Sequence, residues 1–373
     1  MKLDFDIPTQ VEFGRGGLHR IGAFAREHGT HALVVTGRSA VRAHGYLDRA
    51  LVSLRSAGLR TTVYDRVSAN PRSDEVDEAA ALARRNGCDV VVGMGGGSAL
   101  DAAKGVAVTA GTGGSVRDLI GVTLAADIPA LPLLAVPTTA GSGSEVTKGA
   151  IITDTVRGFR SGVRGDVLFP RVAVVDPDLV ASVPPAVLTE TAFDAFAHAV
   201  EGSVSQGATE ASRALAREAV SLIADHLPLV LRGADSPAAR EALCRAAVIG
   251  GVNVATAGTC LPHRLQQAMG SLPGLGISHG RGLALVYPSW LRHTAPLAED
   301  TFATIAALLG GETVHGAVDR LLTSAGLHSR LRDWGVARGD IDVLVRGVSG
   351  NLGNDPAPHV DMEYLRMLYA ESY

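Results

Sequence analysis

The chain has 373 residues, 46% of them hydrophobic and 19% charged, which is enough apolar material for more than one core. Lysine and arginine total 34 against 38 acids, so the net charge is -4 and there is no basic surplus for gripping a nucleic-acid backbone. The cysteines Cys88, Cys244 and Cys260 are odd in number and sparse, which argues against a secreted disulfide scaffold and for a reducing compartment, the cytoplasm.

Met1 to Pro8 carries three charges and no apolar centre, so no secretory leader is expected there. From there to Val180, short β-branched runs alternate with amphipathic stretches. The runs are HALVVTG (31–37), TTVYD (61–65), CDVVVGM (88–94), LPLLAVP (131–137) and VAVVD (172–176). Such alternation predicts a parallel sheet wrapped by helices. SDEVDEAAALARRN (73–86) reads as a helix that opens on a serine cap, carries acids in its first turn and ends on arginines, as the helix dipole favours.

Beyond VDPDLVASVPPAVLTE, strand-like runs nearly vanish and Ala/Leu/Arg helical patterns continue to Tyr373, with Pro184-Pro185 marking the junction. The expectation is an α/β, Rossmann-like domain over 1–180 and an all-α domain over 181–373, with an active site in the cleft between them. The longest apolar stretch, AAVIGGVNVATAG (246–258), is interrupted by Asn253 and is shorter than the ~20 residues of a membrane span. It reads as a buried helix, and no membrane partner is expected.

Gly95, Gly96, Gly97 and Ser98 fall directly after one predicted strand and before a helix. Glycine lets backbone approach a phosphate, and a helix start offers unpaired N–H groups with partial positive charge. The run is not the GxGxxG fingerprint, and a tight strand-to-helix turn wants glycine anyway. A second loop, VPTTAGSGSEVT (136–147), clusters Thr138, Thr139, Ser142, Ser144 and Thr147 after another strand, and its hydroxyls suit ribose and pyrophosphate. Two such loops in one α/β unit favour a nucleotide.

In LTETAFDAFAHAVEGSVS, Asp194 and His198 are four apart on a predicted helix and share one face. His263 starts another helical stretch and His279 lies in a glycine-flanked turn. Any one of the 12 histidines, taken singly, reads as a lone polar residue; one carboxylate plus three imidazoles reads as a metal set. Such ligands suit Fe(II) or Zn(II). Cys260 mimics half a zinc motif, but no second cysteine pair accompanies it, so it is taken as structural.

These motifs, in this order, resemble the iron-dependent (group III) alcohol dehydrogenases, nearer the butanol-dehydrogenase branch. The likeness runs from PTQVEFGRGGL through Asn70-Pro71, GGGSALDAAK, PTTAGSGSEVT, VAVVDPDL, DAFAHAVEG and SHGRGLALVYP to Asn354-Asp355-Pro356. The resemblance implies the dehydroquinate synthase-like fold of that family and an aldehyde reductase or alcohol dehydrogenase acting on a small aldehyde or primary alcohol. It implies Asp194, His198, His263 and His279 as metal ligands at the catalytic centre. It also implies Gly96, Gly97 and Ser98 against the pyrophosphate, and Asn70, Asp101, Thr138, Thr139, Thr147 and Arg160 along the dinucleotide. A homodimer or larger homo-oligomer follows from the same likeness. Four residues after His263, where many relatives carry a second histidine, this chain has Gln267, which cannot relay a proton as imidazole does. The loop Ser271 to Ser278 is longer than in lactaldehyde-type members, which places the substrate pocket in question.

The turn Thr36-Gly37-Arg38-Ser39 has no carboxylate for ribose hydroxyls, and Arg38 with Ser39 suits a 2′-phosphate, which favours NADP(H) over NAD(H), although Asp65 ends a neighbouring strand and offers a ribose acceptor. Two rival readings share the plan: a dehydroquinate-synthase-like cyclase, which needs more basic residues near His263 and His279, and a metal-independent maleylacetate-type reductase, which Asp194 disfavours.

Overall fold

The computed structural model describes residues 6–232, 236–272 and 274–373, with Ser271 as backbone. Met1 to Phe5 and Pro273 of the 271–278 loop lie outside the described residues. The chain divides at Pro184 into two compact units, Ile7–Val183 and Pro184–Tyr373.

The first unit is α/β. Its elements run β1 (Gln10–Phe13), α1 (Ile21–Arg26), β2 (His31–Gly37), α2 (Ala40–Ala43), α3 (Tyr46–Ser56), β3 (Arg60–Val67), α4 (Ser73–Asn86), β4 (Val90–Gly95), α5 (Gly97–Thr112), β5 (Leu133–Pro137), β6 (Gly149–Asp154), β7 (Phe159–Arg164) and β8 (Val172–Val175). Six strands form a parallel sheet in the order β1-β8-β5-β4-β2-β3. Helices cover both faces, so the central strands are apolar throughout. Leu33, Val35 and Val91 pack with Ala79 and Ala83 of α4 and Ala103 and Val106 of α5. Val34, Val90 and Val92 face the other way, onto Ile21, Leu47, Ala50 and Leu54.

All five predicted strands and the helix at 73–86 are present. The cap of that helix differs from expectation: Ser73 is its first residue and shares a hydrogen bond with Thr155 Oγ1 at 3.1 Å, while the Glu75 carboxylate accepts the Arg72 amide. Two features escaped sequence reading, the edge strand β1 and the antiparallel ribbon β6–β7. QVEF is half polar because an edge strand faces water on one side, and glycine, serine and arginine break the apolar alternation of β7.

The second unit is helical: α6 (Pro185–Val204), α7 (Glu210–Leu231), α8 (Pro237–Ala257), α9 (Leu261–Ala268), α10 (His279–Thr294), α11 (Glu299–Leu308), α12 (Val314–Ser324), α13 (Ile341–Gly347) and α14 (Met362–Ser372). Pro185 opens α6, where its missing N–H costs nothing, and from Ala192 to Val204 the helix is buried on all sides. The stretch 246–258 forms the end of α8 and its C-cap, Gly258, and α8 packs on α6 and α7. No single helix among the described residues is long and apolar enough to cross a membrane.

Candidate metal centre and nucleotide loops

The metal candidates converge in the helical unit. Asp194 and His198 sit one turn apart on buried α6, His263 is near the start of α9, and His279 opens α10. Gly280 lets α10 press onto α6: a Cβ there would lie 2.1 Å from the Glu190 carbonyl oxygen, so only glycine permits the approach that carries His279 to Asp194. The four side chains offer ligand atoms all within 4.8 Å of one another. Asp194 Oδ1 lies 3.4 Å from His198 Nε2, 3.5 Å from His263 Nε2 and 3.3 Å from His279 Nε2.

Those spacings decide what the cluster can hold. Tetrahedral ligands on arms of about 2.1 Å sit about 3.4 Å apart, which matches all three. Asp194 Oδ1 and His263 Nε2 are buried and make no hydrogen bond, and leaving such atoms unpaired is costly unless a cation completes them. Burial would raise the Asp194 pKa, yet His198 and His279, with contact from His263, hold its carboxyl well below the ordinary range. The donor set fits one divalent ion. The His279 side chain is 33% exposed while the other three are nearly sealed, so the centre opens at His279.

A supporting shell orients the ligands. His263 Nδ1 lies 2.8 Å from both oxygens of Glu201, which is wholly buried, so the ring proton sits on Nδ1 and Nε2 presents its lone pair. Burial opposes charge on His263, but Glu201 and Asp194 raise its pKa to about 9, so a bound metal ion would take the place of the Nε2 proton. Glu201 also accepts the Cys260 amide at 2.7 Å. The Cys260 thiol stays outside the cluster, its pKa pushed well up by burial and by the carboxylates of Glu201 and Asp355. His279 Nδ1 is held by the buried side-chain oxygen of Gln266. The neighbouring Gln267 accepts from Arg264 Nη1 at 3.1 Å. Asp355 clamps the first turn of α9, taking the Leu261 amide at 2.9 Å and Trp290 Nε1–H at 2.9 Å.

In the α/β unit the loops gather at the carboxyl edge of the sheet. Thr36 is level with Met94, and Gly95 with Pro137, so the ends of β2, β4 and β5 stand side by side. β3 lies on one side of β2 and β4 on the other, which makes the space after β2 and β4 the topological switch point where such sheets bind ligands. Gly95 has φ +148°, and a Cβ on Gly97 would lie 2.8 Å from Ser142, so both glycines are required by the backbone's course. Gly96, the N-cap of α5, has no side chain to satisfy the first amides of the helix. Thr139 lies against Gly96, and Thr138, largely buried, donates its amide to the Gly95 carbonyl at 2.9 Å.

Residues 8–177 match the family described as iron-containing alcohol dehydrogenase, and residues 188–366 match the C-terminal part of the Fe-containing alcohol dehydrogenase family. The chain belongs to the iron-containing alcohol dehydrogenases. It is 30% identical over 369 residues to the NAD-dependent methanol dehydrogenase of Bacillus methanolicus, covering 96% of each chain. It is 30% identical over 370 residues to the 1,3-propanediol dehydrogenase of Klebsiella pneumoniae, covering 95% of this chain and 94% of that one. The crystal structure of an archaeal halo-thermophilic Red Sea brine pool alcohol dehydrogenase superposes with a TM-score of 0.93 at 29% identity, covering 100% of this chain and 99% of the other.

Several sequence candidates have partners that modify their reading. Ser98 Oγ donates to the Ala69 carbonyl, which ties the glycine loop to the exposed turn carrying Asn70. Asp101 accepts from Ser144 Oγ at 2.7 Å and from the Ile151 amide at 2.9 Å. Thr147 Oγ1 receives Lys104 Nζ at 2.9 Å. Asp101 and Thr147 thus brace the second loop from behind. Arg38 Nη2 is 3.2 Å from Glu75 and its Nε donates to the Arg66 carbonyl, while the side chain stays two-thirds exposed. Ser39 is exposed and precedes α2 without capping it. Asp65, the alternative ribose acceptor, is paired with Arg42 at 2.6 Å. Arg160 lies on β7 with its Nε buried and unpartnered.

Proposed function

We propose that the protein is a metal-dependent, nicotinamide-linked alcohol dehydrogenase or aldehyde reductase for a small aldehyde or primary alcohol. The observation that carries this reading is the cluster of Asp194, His198, His263 and His279, spaced to hold one divalent cation. When bound, a divalent ion would supply Lewis acidity toward a carbonyl or alcohol oxygen, and a nicotinamide would supply or accept the hydride. Asp194 contributes a single negative charge, which leaves half of a divalent charge uncompensated and available to the substrate oxygen. Glu201 and Gln266 hold Nδ1 of His263 and His279, so that the Nε2 atoms of both rings would be free to ligate a cation. The substrate oxygen arrives on the side of His279, the exposed ligand. Gln267 has no titratable proton and is held by Arg264, so the alcohol proton exchanges with solvent at that opening.

For the dinucleotide, Gly96, Gly97 and Ser98 present the start of α5 to the pyrophosphate, with Thr138 and Thr139 beside it. NADP(H) is the proposed partner, because Gly37, Arg38 and Ser39 supply no carboxylate at the turn and the exposed Arg38 fork is anchored by Glu75 with donors to spare. The name of the methanol dehydrogenase relative points to NAD instead, so the kcat/KM ratio for NADPH and NADH is decisive; a ratio below one overturns the preference. Family membership favours iron, and affinity order favours zinc when both are offered. The open edge of β1, with Val11 and Phe13 more than one-third exposed, supports a homo-oligomer, which light scattering on an eluting peak measures.

The central test is Asp194→Ala. Metal content by mass spectrometry and turnover of an aldehyde panel fall together if the assignment is right. A metal-free variant with full turnover refutes it.

A further inference from the structure

Several arginines in the α/β unit are answered by acids, among them Arg38 by Glu75, Arg42 by Asp65, Arg66 by Glu78 and Arg72 by Asp74, and most of the others stand exposed to water. Two on β7 are neither. Arg160 and Arg164 are both partly withdrawn from water, and among the described residues neither side chain makes an ion pair. Strand alternation puts Arg160, Gly162 and Arg164 on one face of β7, while Val163 points the other way into the core of α4 and α5. The Arg164 guanidinium folds back over Gly162: a Cβ on that glycine would lie 2.9 Å from its Cζ and Nη2. The glycine therefore makes room for one arginine to lean toward the other.

Burial lowers the pKa of both guanidinium groups, and at Arg160 the field of Asp101 opposes it; no neighbouring charge does so at Arg164. Both oxygens of Asp101 are already engaged by Ser144 and Ile151. Withdrawing Arg164 from water with no acid beside it, and Arg160 with only the already engaged Asp101, costs free energy that a bound anion would return. The ribbon is pinned beside the phosphate loop. Ile151, the register partner of Gly162, donates to Asp101 in the second turn of α5, and Gly149, the partner of Arg164, offers its carbonyl to Lys104 at 2.8 Å.

We propose that Arg160 and Arg164, across Gly162, form an oxyanion subsite that takes a phosphoryl or sulfonyl group through two guanidinium forks. It deepens the dehydrogenase reading above, on which the source of the group rests. The three oxygens of such a group match paired, planar five-donor forks better than a lone carboxylate does. The group comes either from a phosphate of the dinucleotide or from an anionic substituent on the aldehyde.

The first experiment does not need turnover. The full-length metal-free protein is melted with and without 20 mM-range inorganic phosphate, roughly a hundredfold above a sub-millimolar Kd, where a site stabilises by about RT ln of that ratio. Phosphate raises the Tm of the parent protein and of the surface control Arg85→Gln, and raises that of Arg164→Gln by less than half as much. Gly162→Ala, which pushes the Arg164 fork aside without removing charge, reproduces the loss and serves if Arg164→Gln does not fold. Equal protection of parent and both variants, or no protection of the parent, overturns the subsite. The source follows from KM in Arg164→Gln. A rise of tenfold or more for NADPH or NADH with a neutral aldehyde assigns the dinucleotide. A rise confined to phosphonate- or sulfonate-bearing aldehydes assigns the substrate. Lost phosphate protection with no KM changed overturns the link to turnover, and absence of turnover with every aldehyde counts against the dehydrogenase reading while the melting result stands.

Discussion

Glu201 touches no substrate, yet replacing it by glutamine should strip metal from the centre. The carboxylate is wholly buried, with His263 Nδ1 2.8 Å from each oxygen and the Cys260 amide 2.7 Å from one of them. Glutamine keeps the shape but turns one acceptor into a donor. If its carbonyl serves His263, the new NH2 meets the Cys260 amide, and a buried N–H loses its partner at about 1 to 3 kcal/mol. If it serves Cys260, His263 must present Nδ1 as an acceptor, which moves the ring proton to Nε2 and spoils the ligand. Loss of such an outer carboxylate costs about 10- to 100-fold in metal affinity, which is about 1.4 to 2.7 kcal/mol at 1.36 kcal/mol per tenfold. The assay is competition with a graded chelator on metal-loaded Glu201→Gln and parent protein, with circular dichroism to show that the variant is folded. A folded variant that holds metal as tightly as the parent refutes the view that Glu201 sets the His263 tautomer.

Two further outcomes probe the α/β unit. Gly97→Ala brings a methyl group to 2.8 Å from Ser142 at the start of α5, so KM for the dinucleotide should rise tenfold or more with metal content unchanged; an unaltered KM removes Gly97 from the binding loop. Buried Glu145 has its pKa raised to about 7 by burial, against an ordinary value of 4.5. The folded chain then holds a proton that the unfolded chain releases, so this contribution to stability is complete below about 4.5 and is lost as pH climbs through about 7, by at most about 3 kcal/mol. Lys104, lowered by burial to about 8, recovers stability only above that value, so the pair is weakest between about 7 and 8. Urea midpoints of Glu145→Gln between pH 5 and 7 should therefore vary less than those of the parent, and equal slopes would show that Glu145 is not the group involved.

The elements legible in the sequence are those whose burial imposes a pattern. Strands covered on both faces must be apolar throughout, so β2, β4, β5 and β8 stand out as valine-rich runs. β1 has one neighbour and β6–β7 forms a two-stranded ribbon, so neither carries that signature. At the centre, Asp194 and His198 were legible through the period of one helix, and Glu201 completes the same face three residues on. It was passed over because a buried acid among apolar neighbours announces its role by what it touches, and His263 is 62 residues away. Asp355 is more remote still: its bond to the Leu261 amide crosses 94 residues. Gln266 and Gln267 show the limit best. Residue type alone directed attention to Gln267, where relatives have an imidazole; packing turns that side chain to Arg264 and gives the hydrogen bond to His279 to its neighbour. One residue along a helix rotates a side chain by about 100°, so which of two adjacent glutamines meets a histidine on another helix is decided by tertiary packing.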